Sequence, residues 1–337
     1  MENEETDGKI AFPSVSIIVA THNSESTVDE CLRSILELDY PKELFEVIVI
    51  DGGSNDLTVE RVKAHPVKLI SHHLNAPESY NYVLKSVENE VVGFIDSDAK
   101  VESQWLKKLI KHLENPKVAG ASGNIETWNK NKLIPRCVGY ELTYRYRRLP
   151  REVLKVATMN FIVKKKMIDE VGGFNESLPT QYDTDLGARI VRSGYKLIFD
   201  SDVTCYHFHR PTLSAFFKQQ FKYGQNTWKV YFRYPHLVEG DQITDWWMNV
   251  QPILYVVGAI SLVASLIPNF SQVGMWIFLS LAFLMTLQYA FSAARISLIF
   301  HDLSAMFQVV LYFTRAVAWT LGGTTSFVSS FFTRGGV

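Results

Sequence analysis

Three short apolar runs, each closing on a polar or acidic residue, narrow what this chain can fold into more than any other feature. Residues 15–20 carry Val15, Ile17, Ile18 and Val19 and run into Thr21, His22 and Asn23. Residues 46–51 carry Val47, Ile48, Val49 and Ile50 and end on Asp51, and residues 91–96 carry Val91, Val92, Phe94 and Ile95 and end on Asp96, with Ser97 and Asp98 behind it. Short β-branched runs bounded by turn residues read as buried strands. Between them the apolar period becomes helical: Val28, Cys31, Leu32, Ile35 and Leu36, startable by Ser26 or Thr27 and stopped at Tyr40 and Pro41, then 58–65, with a strand at 67–71, then 81–87. Trp105, Leu106, Leu109, Ile110 and Leu113 mark a further helix ending at Asn115 and Pro116. Strands alternating with helices predict an α/β fold, Rossmann-like, with a mainly parallel sheet and right-handed crossovers. In such sheets ligands bind beyond the carboxyl ends of the strands, where the Thr21 loop, Asp51 and Asp96 lie.

Asp96 and Asp98 stand two apart, so on extended chain their side chains point to one side. Together they can hold one divalent cation, and oxygen donors of this hardness suit Mg²⁺ or Mn²⁺. A D-x-D triplet alone is common on solvated loops; its place at the end of a hydrophobic strand gives it weight.

Charge divides the 337-residue chain in two. Nearly all of it precedes about residue 245, whereas between 250 and 332 only Arg295, Asp302 and Arg315 are charged. Residues 250–267 and 273–294 are uncharged and of the length that crosses a bilayer, with a short polar hairpin at 268–272 between them. A third apolar segment, 303–332, is interrupted by Arg315 and Gly322-Gly323 and fits either a span or an interfacial helix. Residues 211–234 are rich in Phe, Tyr and Lys, as in helices lying at a headgroup layer. The expected organisation is a flexible 1–13, a polar α/β domain at 14–210, interfacial helices at 211–249 and a membrane region at 250–337. The acidic first residues do not resemble a signal peptide, which with Arg295 at the end of the second span places the polar domain in the cytosol. A net charge of −1 without a basic block argues against nucleic-acid binding, and the three cysteines, Cys31, Cys137 and Cys205, match no zinc or disulfide pattern.

The succession of Thr21-His22-Asn23, Asp51-Gly52-Gly53-Ser54-Asn55-Asp56 and Asp96-Ser97-Asp98, followed by Gly172-Gly173-Phe174-Asn175-Glu176 and Tyr182-Asp183-Thr184-Asp185-Leu186, resembles the family 2 glycosyltransferases of GT-A fold. The resemblance covers about residues 14–235 and reaches towards the polyprenyl- and dolichyl-phosphate sugar transferases, from which Lys100 departs where that group carries Gln. It implies that Thr21, Asn23, Asp51 and Asp96 contact the donor nucleotide and that Asp96 and Asp98, with His207, hold the metal. Asp183 becomes the catalytic base, with Asp185 as its competitor. Met159, Asn160, Tyr182 and Asp185 would face the donor sugar or acceptor, and Lys222 in the 219–223 segment would touch the diphosphate. The implied partners are a UDP- or GDP-sugar and a lipid-linked or polyprenyl phosphate acceptor, with a processive polysaccharide synthase or a non-catalytic nucleotide-sugar-binding scaffold as alternatives.

Overall fold

Each of the three apolar runs becomes a strand. The computed structural model describes residues 12–233, 235, 243–244 and 246–333. The expected flexible start therefore lies outside the described residues except for Phe12 and Pro13, and Phe12 is docked, its ring 5.0 Å from that of Tyr40.

Strands β1 (Val15–Thr21), β2 (Phe45–Asp51), β3 (Lys68–Ser71) and β4 (Val91–Phe94) form the parallel half of the sheet in the order β3-β2-β1-β4. Their register pairs Thr21 with Asp51 and Ile18 with Phe94, so three strands finish on one edge. The other half is mixed. Strands β5 (Ala99–Val101), β6 (Val118–Thr127), β7 (Glu152–Val153), β8 (Phe161–Lys164) and β9 (Lys196–His207) extend the order as β4-β8-β6-β9-β5, with β7 also on β9. β8 runs antiparallel to both β4 and β6, whereas β6 and β9 are parallel. β5 lies antiparallel to β9 with Ala99 opposite His207, which folds the end of the acidic loop back onto that histidine.

Helices cover both faces, giving three layers around two apolar cores. Helices α1 (Val28–Leu36), α2 (Thr58–Lys63) and α4 (Trp105–Leu113) pack on one face; Cys31, Leu32, Trp105 and Leu109 there are fully buried. α3 (Ala76–Leu84), α6 (Lys165–Glu170) and α7 (Tyr182–Arg192) bury Tyr80, Val83, Ile168, Leu186 and Ile190 on the other. α3 starts five residues before the expected 81, because Asn75 and Glu78 form a reciprocal capping box and Pro77 sits in the first turn. Thr27 takes the N-cap place of α1 as expected, without a side-chain capping bond.

α5 (Leu133–Tyr146) reaches from the sheet to a helical region made of α8 (Leu213–Arg233), α9 (Trp246–Ala264), α10 (Ser271–Phe300) and α11 (Gln308–Thr333). α9 and α10 are long and apolar enough to cross a membrane. Much of their surface faces outward as bare hydrocarbon: Ile260, Val263, Val273, Trp276, Phe283 and Phe291 are each more than half exposed. Soluble proteins rarely present contiguous apolar patches on this scale. α11, the ambiguous third segment, lies antiparallel along α8, with Gly224 against Trp319 and Gly322 against Phe221.

Candidate active site

The strand ends gather the acidic residues. Asp51 closes β2, 2% exposed, and its carboxylate accepts from the amides of Gly53 and Ser54, each at 3.0 Å, and from the Ser54 hydroxyl at 2.5 Å. It shapes its own turn, which Gly53 completes at φ +89°. Asn23 staples this turn to the β1 loop: its amide donates to Ser54 Oγ at 2.8 Å and its Oδ1 accepts from the Asn55 amide at 2.9 Å. Thr21 Oγ1 beside them is buried without a partner. Ser24 Oγ meets Ser97 Oγ at 2.8 Å, tying these loops to the Asp96–Asp98 turn.

Asp96 Oδ1 lies 3.3 Å from the Tyr80 hydroxyl and 3.4 Å from that of Thr158. Burial, then the neighbouring Asp98 charge, push its carboxyl up to about 7. Asp98 goes the other way: burial would raise it, but His207 and Arg210 hold it below the usual carboxylate range. His207 Nε2 stands 3.2 Å from Asp98 Oδ1, and Arg210 Nη2 3.5 Å from Oδ2. Behind His207, at 3.1 Å between Nδ1 atoms, is His209, whose buried Nε2 has no partner.

These residues fit a divalent cation by their donor chemistry. Asp98 Oδ1 and His207 Nε2 are spaced as neighbouring ligands of one small ion are, given metal–ligand bonds of about 2.0–2.2 Å. Among the described residues there is no group of three or more His, Cys, Asp or Glu preassembled as a metal cage.

Asp96 and Asp183 line one cleft of about 390 Å³, with Thr158, Met159, Tyr182 and Tyr223 around them. Asp183 occupies the first turn of α7, where Oδ1 accepts from the Thr184 amide at 2.8 Å. Burial raises its carboxyl above the ordinary value, against the opposing pull of that amide and of Lys155. The chain enters α7 through Gln181 at φ +60°, an uncommon conformation for a non-glycine residue, held by a 2.5 Å bond from its side-chain amide to Thr227 of α8.

Not every expected residue reaches the cleft. Asn160 is 1% exposed; its Oδ1 accepts from Trp105 Nε1 at 2.7 Å and its Nδ2 donates to the Asn124 carbonyl at 2.9 Å, so its amide serves the core. Asp185 is fully buried, 2.7 Å from Arg189 Nε one turn on, and is a structural ion pair. Lys222 is exposed and absent from the cleft wall, to which α8 instead offers Gln220 and Tyr223. Met159 and Tyr182 do line it. The wall also carries Glu141, Arg145 and Trp319, which the sequence did not single out, and Arg315, which it marked only as a charge interrupting an apolar segment. A buried charge within an apolar helix, Arg315 in α11, was the signal available for them.

The sheet order and the acidic strand ends define a mixed α/β unit of GT-A type. Residues 16–172 match the model of Glycosyl transferase family 2, and the chain carries a glycosyltransferase family 2 domain. Glycosyltransferase AglE of Haloferax volcanii is 25% identical over 235 residues, 65% of this chain and 75% of that protein. The dolichyl N-acetyl-alpha-D-glucosaminyl phosphate 3-beta-D-2,3-diacetamido-2,3-dideoxy-beta-D-glucuronosyltransferase of Methanococcus voltae is 26% identical over 234 residues, 62% of this chain and 71% of that one. The structure of mannosyltransferase PcManGT from Pyrobaculum calidifontis, in complex with GDP-Man and Mn²⁺, superposes with a TM-score of 0.59 at 18% identity, covering 94% of this chain and 87% of that chain. That likeness extends the shared fold into the helical region.

Proposed function

We propose that this protein is a membrane-bound, metal-dependent, inverting transferase. It moves one sugar from a nucleotide-sugar to a lipid-linked acceptor at the cytosolic face. The observation that carries the reading is the shared cleft: Asp96 and Asp183 line it together, and residues of α8 and α11 complete its wall.

In this reading the nucleotide rests against the loops of Thr21, Asn23 and Asp51. Asp96, Asp98 and His207 would hold Mg²⁺ or Mn²⁺, which when bound supplies Lewis-acid stabilisation of the departing diphosphate. Asp183 accepts the proton of the acceptor hydroxyl as its oxygen attacks the anomeric carbon from the face opposite the diphosphate. The new carbon–oxygen bond forms, the bond to the phosphoryl oxygen breaks, and the nucleoside diphosphate leaves with the electron pair. A carboxylate whose affinity for protons is raised suits that task better than an ordinary one, since it holds the proton it takes.

The test is nucleotide release and sugar transfer by the purified full chain in detergent, across UDP- and GDP-sugars, with Mg²⁺, with Mn²⁺ and with chelator. Expected is release of one nucleotide that needs the metal and disappears in Asp98→Ala. Turnover indifferent to both chelator and Asp98→Ala would remove the metal-dependent mechanism.

A further inference from the structure

Beside the cleft, between α5 and the roots of α9, α10 and α11, lies a second and smaller cavity of about 140 Å³. Arg145, Arg148, Arg295 and Arg315 line it, with Glu141 as its one carboxylate. The arginines gather on two hubs. Arg315 Nη1 and Arg145 Nη2 both reach Glu141 Oε1, at 2.7 and 3.6 Å. The guanidinium groups of Arg148 and Arg295 stand 5.5 and 5.3 Å from the centre of the Tyr144 ring. Among the described residues no carboxylate pairs with Arg148 or Arg295, and both are exposed at the cavity's mouth. Inside, Arg145 Nε and Trp247 Nε1, two donors, are buried without partners.

Arg315 and Arg145 share the one carboxylate of Glu141, so this hub carries an excess of positive charge beside apolar helices that an anion would offset. Planar forks with spare donors match phosphate oxygens best. The volume is well under the roughly 300–1,000 Å³ of a site for a drug-sized ligand, so it suits a headgroup and not a sugar nucleotide. Its level in the fold suits a lipid: α10 has 30 residues and is about 45 Å long, against a hydrocarbon layer of about 30 Å, so the turns carrying Arg295 near its carboxyl end emerge from the layer.

The cavity also adjoins the cleft, because Glu141, Arg145, Met248 and Arg315 line both. We infer that this arginine cavity holds the phosphate or diphosphate of the lipid-linked acceptor, and that the attacking group at Asp183 is a hydroxyl of a sugar already attached to that lipid. The inference rests on the transfer reading above. A bare polyprenyl phosphate would have to bring its phosphate to the anomeric carbon as nucleophile, and an ionised phosphate needs no base. A phosphate anchored next door, with a general base at the attack site, calls for a saccharide bridging the two. Its hydroxyl oxygen bonds to the anomeric carbon, its proton passes to Asp183, and the nucleoside diphosphate departs.

The experiment has a binding arm and a transfer arm, both on the full chain in detergent with Arg148→Gln/Arg295→Gln, two mouth residues outside the catalytic cleft. In chelator, farnesyl diphosphate should bind at least tenfold more tightly than farnesol or inorganic diphosphate, and the double variant should lose that preference. Equal binding of inorganic diphosphate, or an unchanged preference in the variant, overturns the lipid-phosphate site. In the transfer arm the variant should raise KM for a polyprenyl diphosphate-linked monosaccharide at least tenfold, with kcat and donor KM unchanged. Transfer to an alkyl glycoside without phosphate should be unaffected. Preferential transfer to bare polyprenyl phosphate overturns the saccharide assignment, and so does an effect that follows phosphatidylglycerol in nanodiscs and not the acceptor's phosphate. Metal-dependent donor hydrolysis, measured alongside in both proteins, shows whether the transferase reading stands when the acceptor inference does not.

Discussion

Asp183 and Asp185 stand two residues apart on one helix and meet opposite environments. Successive helical residues turn by about 100°, so a spacing of two puts side chains on opposite sides. Asp183 meets the cleft, while Asp185 turns inward onto Arg189. That choice was half legible, because an Arg four residues after Asp185 is the signature of an intrahelical pair. Asn160 was not legible, since nothing in its neighbourhood in sequence names Trp105 as its partner. The raised proton affinity of Asp183 gives two linked expectations. The acid limb of kcat/KM should lie above the range of an ordinary carboxylate, about pH 3.9, and Asp183→Asn should lower transfer by roughly 10²–10⁴-fold. For stability the sign runs against the native residue. A carboxyl that binds its proton more tightly folded than unfolded loses stability as pH rises from the unfolded value through the folded one, and the cost persists above it. Asparagine keeps the acceptor for the Thr184 amide and removes the charge. Asp183→Asn should therefore unfold at a temperature equal to or above that of the native protein at pH 7, and lose the advantage in acid. A variant that is less stable at neutral pH would show that the carboxylate is held for its charge.

At the scale of elements, the parallel half of the sheet could be read directly, because buried β-branched runs with intervening helical periods allow little else. The start of α3 was written in Asn75, Pro77 and Glu78, a signal that the apolar period alone obscured. The antiparallel β8 was hidden: four residues between β4 and β6 carry no sign of direction, which follows from the long returns on either side. The pairing of α8 with α11 was hidden for a related reason, although its means are simple. A Cβ on Gly322 would sit 2.2 Å from the Phe221 carbonyl oxygen, and one on Gly224 would sit 2.7 Å from Trp319 Cα, so small residues set the closeness of the two helices. Backbone cannot yield as a side chain can. Gly322→Ala should cost about 1–3 kcal/mol through overpacking. It should also depress transfer, since α11 carries Arg315 and Trp319 on the cleft wall. Leu321→Ala, on an exposed neighbour, should do neither. Thermal unfolding in detergent together with transfer rates reads both effects, and an unaffected Gly322→Ala would mean that the helices stand further apart.

Over the whole molecule, the division of charge along the sequence foretold a polar unit joined to an apolar one, and the two long apolar helices fall close to the expected 250–267 and 273–294. Of the arginine cavity only Arg295 and Arg315 left a trace, because its arginines come from α5, the residues just after it, α10 and α11, as far apart as Arg145 and Arg315. What joins the halves is electrostatic as well as apolar: Glu141 of α5 binds Arg315 of α11, and Tyr140 stacks on Phe300 at 4.4 Å between ring centres. If the hairpin of α9 and α10 spans the bilayer, its tip near Gln272 must lie on the side opposite the catalytic unit, since two spans return the chain to where it started. The native thiols make this easy to test, as Cys31, Cys137 and Cys205 are all buried. Gln272→Cys should react with a membrane-impermeant maleimide on intact cells. Lys111→Cys, on an exposed turn of α4, should react only after permeabilisation. The reverse pattern would put the catalytic unit outside, and labelling of both positions on intact cells would mean that α9 and α10 lie along the membrane surface, with the arginine cavity open to solvent instead of to the headgroup layer.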